Sequence, residues 1–193
     1  MKPGSYNWVK SVTVLENTIK VLSKPKIPTE IAEAMKLKNI RSDILSVLLK
    51  SGIVRILNPK AKLGRLYGLT ETGQKVRKRL LKETGLPYSY SEPKEDSSFW
   101  YSYGRVVSGL QRKAIIKAVN KANEKGKIKL GMTPREIRTT AREYNKRISR
   151  SNANETLINL VKEGLLKFEK LNGRVTYSLT KKGLKIQQQL LIE

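Results

Sequence analysis

Cysteine and histidine are both absent from the 193 residues. Their absence removes disulfides, thiolate and imidazole metal ligands, and every nucleophile–base dyad that needs either residue. Acidic residues are scarce, 16 against 40 Lys and Arg, and they form no compact sequence cluster of the kind that holds two metal ions in a nuclease. No apolar run approaches the roughly 18 residues of a membrane span, and the opening "MKPGSYNWVKSVTVLENTIKVL" has no apolar core of signal-peptide length. The expectation is a soluble, intracellular protein that is not an enzyme, carries no cofactor or metal, and has no membrane partner.

What is present is positive charge. The formal net charge is +24 and the isoelectric point near 10.3, which makes a polyanion the natural partner. The excess is not a tail. Residues 1–82 hold 18 basic and 5 acidic groups, residues 83–104 hold 1 and 4, and residues 105–193 hold 21 and 7, so each half presents its own basic surface.

The halves also share a pattern. "GIVRILNPKAKLGRLYGLTETG" at 52–73 is echoed by "GLLKFEKLNGRVTYSLTKKG" at 164–183: Gly, an apolar run, a basic turn, then Tyr-x-Leu-Thr and Gly. The offset between copies falls from 112 at Gly52/Gly164 to 110 at Tyr67/Tyr177, which puts a two-residue length difference in a turn. Upstream, apolar spacing predicts a helix from Ser11 to Ser23, a short one opened by Pro28, and a third through Ile40, Ile44, Val47 and Leu48 that Gly52 stops. In the second half the spacing predicts a long helix over 105–125. A capping box, Thr133-Pro134-Arg135-Glu136, then opens the next helix, and Ala153, Leu157, Leu160 and Val161 mark the third. Each hairpin is followed by a closing helix, the last carrying Leu184, Ile186, Leu190 and Leu191 as core or dimer contact. The predicted division is 1–82, a linker at 83–104 and 105–193. Six of the twelve aromatic residues, Tyr88, Tyr90, Phe99, Trp100, Tyr101 and Tyr103, crowd into that linker, where they either pack it down or offer stacking surfaces for single strands.

The repeated hairpin motif, preceded by a helix-turn-helix and followed by a helix, resembles the winged helix-turn-helix of archaeal and bacterial transcription regulators. The resemblance implies a mainly α protein with small β-hairpins (α+β), built as two tandem winged helix-turn-helix domains. It implies double-stranded DNA as ligand, with the third helix of each copy in the major groove and the hairpin wings on the backbone or minor groove. On that basis the candidate base-reading residues are Lys38, Asn39, Arg41, Ser42 and Ser46 in the first copy, and Arg150, Ser151, Asn152 and Asn154 in the second. Arg suits guanine and Asn suits adenine. The wing candidates are Lys60, Lys62, Arg65, Lys170, Asn172 and Arg174, and a basic stripe of Arg135, Arg138, Arg142 and Lys146 is either a phosphate clamp or a solvated face. Asp43 and Glu155 near the reading helices are first assigned to the helix dipole. A transcription regulator associated with the nucleoid is the leading expectation, with a homodimer or a transcription or replication protein as further partner. The alternatives are a replication-origin, plasmid-initiator or partition factor, a protein-binding adaptor, and a non-specific chromatin or single-strand binder. Gly126-x-x-x-x-Gly131-Met132-Thr133 is rejected as a phosphate loop because Met stands where the phosphate-reaching Lys belongs.

Overall fold

The computed structural model describes residues 2–90, 96–120, 131–171 and 173–191. Two units divide the chain, Met1–Gly104 and Arg105–Glu193. Both are mixed α+β, with ten helices and two antiparallel hairpins among the described residues.

In the first unit, helix α1 (Tyr6–Lys10) is capped by the Ser5 hydroxyl, which accepts from Trp8 N, and α2 (Thr13–Val21) buries Leu15 and Ile19. The sequence pattern predicts only the second of these, because five residues are too few to show a helical period. Helix α3 (Pro28–Ala34) starts on proline, and Glu30 reaches back to accept from Ile27 N at 3.1 Å. Helix α4 (Ser42–Lys50) sends Leu45 and Leu48 inward. It begins two residues after Ile40, the expected first turn, since Arg41 is extended and serves as its N-cap. Strands β1 (Val54–Ile56) and β2 (Tyr67–Leu69) pair with Val54 opposite Leu69, and Lys26 adds a single bridge to Tyr67. Helix α5 (Glu71–Glu83) follows.

Residues 97–104, expected as linker, are helical. They belong to α6 (Ser97–Val107), and the division between units falls inside it. Phe99, Trp100 and Tyr103 are buried, with the Trp100 ring edge-on to both others at centroid distances of 5.1 and 5.6 Å. Packing, not display, is what most of these aromatics do. Just before it, the Tyr90 hydroxyl accepts from Leu69 N at 3.1 Å and donates to Leu69 O at 3.2 Å, so Tyr90 lies against β2.

The second unit repeats the order. Helix α7 (Leu110–Ala118) is shorter than the expected 105–125 helix. Gly109 is extended and breaks it from α6, and after Ala118 the chain turns through an extended Val119 and a left-handed Asn120 at φ 59°. Gly is the residue least willing to continue a helix other than Pro. Residues 121–125 lie outside the described residues. Helix α8 (Pro134–Ala141) opens with the expected capping box, Thr133 Oγ1 accepting from Glu136 N at 3.3 Å and Glu136 from Thr133 N at 2.8 Å. Then come α9 (Arg150–Lys162), β3 (Leu166–Leu171), β4 (Arg174–Leu179) and α10 (Lys181–Leu191). Met132 bridges Tyr177 just as Lys26 bridges Tyr67.

The repeated motif has a physical cause. Thr70 caps α5 by accepting from Gly73 N at 3.1 Å while its hydroxyl donates to Gly52 O at 2.6 Å. Thr180 does the same with Gly183 N at 3.1 Å and Gly164 O at 2.7 Å. Gly52 and Gly164 turn the chain at φ 71° and 69°, which Gly adopts without the Cβ clash. A Cβ on Gly73 would stand 2.1 Å from Ile53 O, and one on Gly183 2.1 Å from Leu165 O. One Thr and two Gly thus tie the start of each hairpin to the helix that closes it.

Candidate nucleic-acid interface

Helix α9 is 13 residues long and α4 only 9. Their C-terminal ends correspond, Lys50 with Lys162, so the additional turn of α9 is at its N-terminus. Ser149 caps that turn by accepting from Asn152 N at 3.2 Å. Positions 150, 154 and 158 recur every four residues and share one face, while Ala153, Leu157 and Leu160 turn to the core.

That face looks into a cleft of about 690 Å³ lined by Thr133, Pro134, Arg135, Arg138, Arg150, Asn154, Ile158, Val175 and Tyr177. Helix α8 supplies one wall, α9 the second and β4 the third. Four sequence-chosen residues, Arg135, Arg138, Arg150 and Asn154, are brought together here. Among the described residues no acidic side chain lines it, and none has a carboxylate within ion-pair distance of Arg135, Arg138 or Arg150. Elsewhere in this unit Arg105 and Arg112 share the Glu163 carboxylate at 3.1 and 2.7 Å. The cleft therefore concentrates guanidinium charge without internal neutralisation, and guanidinium forks match phosphate oxygens.

The expected stripe through Arg142 and Lys146 is not continuous. Helix α8 ends at Ala141; Arg142 is its C-cap and its Nε donates to Ile148 O at 3.3 Å, bracing the loop that leads to α9. Lys146 is exposed in that loop, outside the cleft lining. Ser151 Oγ lies 3.2 Å from Ser149 Oγ, and Asn152 and Glu155 are exposed on other faces of α9. On the hairpin Lys170 and Arg174 are exposed; Asn172 lies outside the described residues. Ile158, Val175 and Tyr177 were not chosen from sequence, because apolar spacing reads as core; only the arrangement of α9 and β4 around the cleft shows that they open onto it.

The first unit places its candidates differently. Lys38 and Asn39 precede α4 and are exposed, in a stretch that turns at Lys36 with φ 57°. Asp43 takes Arg41 side-on, Nε to Oδ1 at 3.2 Å and Nη2 to Oδ2 at 2.6 Å, and Oδ1 also accepts from Ile44 N at 3.0 Å. Asp43 thus serves the helix start and orients a neighbouring Arg at once. Ser42 is exposed, and the Ser46 hydroxyl is turned back to Ser42 O at 2.9 Å. Lys60, Lys62 and Arg65 are exposed on the loop between β1 and β2, with Arg65 Nε donating to Ala61 O at 3.3 Å. That loop is not a free tip: Asn58, 1% exposed, donates to Gly64 O and to Trp100 O of α6 and accepts from Leu66 N at 2.8 Å.

Among the described residues no three His, Cys, Asp or Glu side chains gather into a metal-binding group, and no helix is long and apolar enough to cross a membrane. Comparison with protein-family models, with curated proteins and with solved structures finds no match.

Proposed function

We propose that the chain is a sequence-specific double-stranded DNA-binding protein with two tandem winged helix-turn-helix domains, acting as a transcription regulator. The observation that carries the reading is the cleft of the second unit, where Arg135, Arg138 and Arg150 stand without carboxylate partners among the described residues, beside the exposed face of a capped helix. The element order shared by both units, three helices (α2–α4 and α7–α9), a hairpin and a closing helix with one further bridge to the second strand, supports it.

An α-helix fits the major groove, and residues near its N-terminus reach base edges. Helix α9 would present Arg150 and Asn154 there, with Ile158 suited to a thymine methyl, while Arg135 and Arg138 on α8 take phosphates and fix the register. In the first unit Asp43 holds the Nε edge of Arg41, leaving its Nη1 side for a guanine. A replication or partition factor would use the same chemistry and differ in the site it binds.

The test is selection of duplexes from a randomised pool, followed by affinity measurements over a salt series. We expect an enriched motif, a steep salt dependence, and for each of Arg135→Ala, Arg138→Ala and Arg150→Ala weaker binding. A variant that loses one phosphate contact should have a salt slope shallower by about 0.9. Absence of duplex binding by the wild-type chain, or cleft variants that bind as it does, would sink the reading.

A further inference from the structure

The β3–β4 hairpin has one face that changes character along its length. The register sets Leu166 opposite Leu179, Phe168 opposite Tyr177 and Lys170 opposite Val175, and strand alternation puts all six on the same side. Leu166 and Leu179 are buried, but Phe168 is 59% exposed and Val175 37%. The Phe168 and Tyr177 rings lie 6.4 Å apart between centroids at 44°, and Tyr177 and Val175 also line the arginine cleft, together with Ile158, itself 51% exposed. The ring pair therefore borders the arginine cleft through Tyr177. Single exposed apolar residues need no explanation, whereas a contiguous patch does.

The occupant has to combine a flat apolar face with negative charge close beside it. A paired duplex offers groove edges, since its base faces are covered by stacking. An unpaired nucleotide offers both a free base face and its phosphate. We propose that Phe168 and Tyr177 form a stacking platform for an unpaired base, so that the second unit prefers a junction between duplex and single strand over a continuous duplex. This rests on the DNA-binding reading above and extends it to the form of DNA engaged.

Two probes test it: a blunt duplex, and the same duplex with a single-stranded tail carrying a fluorescent adenine analogue at the first unpaired position. The wild-type chain should bind the tailed probe more tightly and quench the analogue. Phe168→Ala should weaken binding to the tailed probe by about 10-fold, in line with base–aromatic stacking, and leave the blunt duplex unaffected. Phe168→Trp should restore both affinity and quenching, and circular dichroism of each variant checks that the fold is kept. Equal binding of the two probes by the wild-type chain, or a Phe168→Ala variant that still prefers the tail, overturns the platform while leaving DNA binding intact. Failure of the wild-type chain to bind either probe overturns both readings. A concentration-dependent dimer abolished by Phe168→Ala, with tailed-probe binding unchanged, would assign the patch to self-association and overturn it as well.

Discussion

The first unit closes its hairpin down and the second leaves its hairpin open. In the first, three-residue strands enclose a loop pinned to α6 through the buried Asn58; in the second, six-residue strands carry exposed Phe168, Val175 and Arg174. The helices diverge in the same sense, Arg41 being held by Asp43 while Arg150 has no carboxylate partner among the described residues. Behind these differences the Thr–Gly tie is the same to within 0.1 Å in its hydroxyl bond, 2.6 against 2.7 Å. What is common to the copies is what holds the fold, and what differs is what each hairpin exposes.

If the tie is common, breaking it should cost both units alike. Gly73→Ala and Gly183→Ala each force a methyl onto a backbone carbonyl, and each should destabilise its unit by about 3 kcal/mol. Both tryptophans, Trp8 and Trp100, lie in the first unit. Gly73→Ala should therefore lower the denaturant midpoint seen by tryptophan fluorescence, and Gly183→Ala only that seen by circular dichroism. A Gly183→Ala chain with unchanged circular dichroism would end the argument for equivalence. Asn58→Ala attacks what is not shared. It strips partners from Gly64 O, Trp100 O and Leu66 N, so a loss of about 2 kcal/mol is expected, confined to the tryptophan signal. An Asn58→Ala chain as stable as wild type would remove the contrast between hairpins.

The smallest effect is on pH. Hydrogen bonding to Lys10 holds the Glu83 carboxyl below its ordinary range, and the same bond raises Lys10. A depressed carboxyl contributes stability above its unfolded value, lost as pH falls through the folded one; a raised amine contributes below its unfolded value, lost as pH rises through the folded one. The pair should thus add a slight acid sensitivity below about pH 4 and a slight alkaline one to the first unit only. Both are measured as the difference between wild type and Lys10→Met, and identical pH profiles would dismiss the pair.

Much of the architecture was legible because it is written locally. The Thr133 box, the proline at 28 and the Gly52 and Gly164 stops mark helix ends by backbone chemistry that needs no tertiary partner. The cleft arginines were legible as charges, though not as neighbours; their meeting depends on α8 packing against α9. Three features were hidden for distinct reasons. Helix α1 is too short for a period, α6 is preceded by Pro, Ser and acidic residues that imitate a linker, and the break at Gly109 sits inside an apolar stripe that continues across it. Ile158, Val175 and Tyr177 were hidden because an apolar residue facing a cleft and one facing a core have the same signature in sequence.

The Thr–Gly tie also bears on how the copies came apart. It joins residues 18 apart in the first unit and 16 apart in the second, with the hairpin as the loop between fixed ends. Loop-closure entropy charges only about 0.1 kcal/mol for those two residues. A clasp of this kind leaves the segment it encloses free to be lengthened, pinned or exposed while the closure, and with it the register of the domain, is kept.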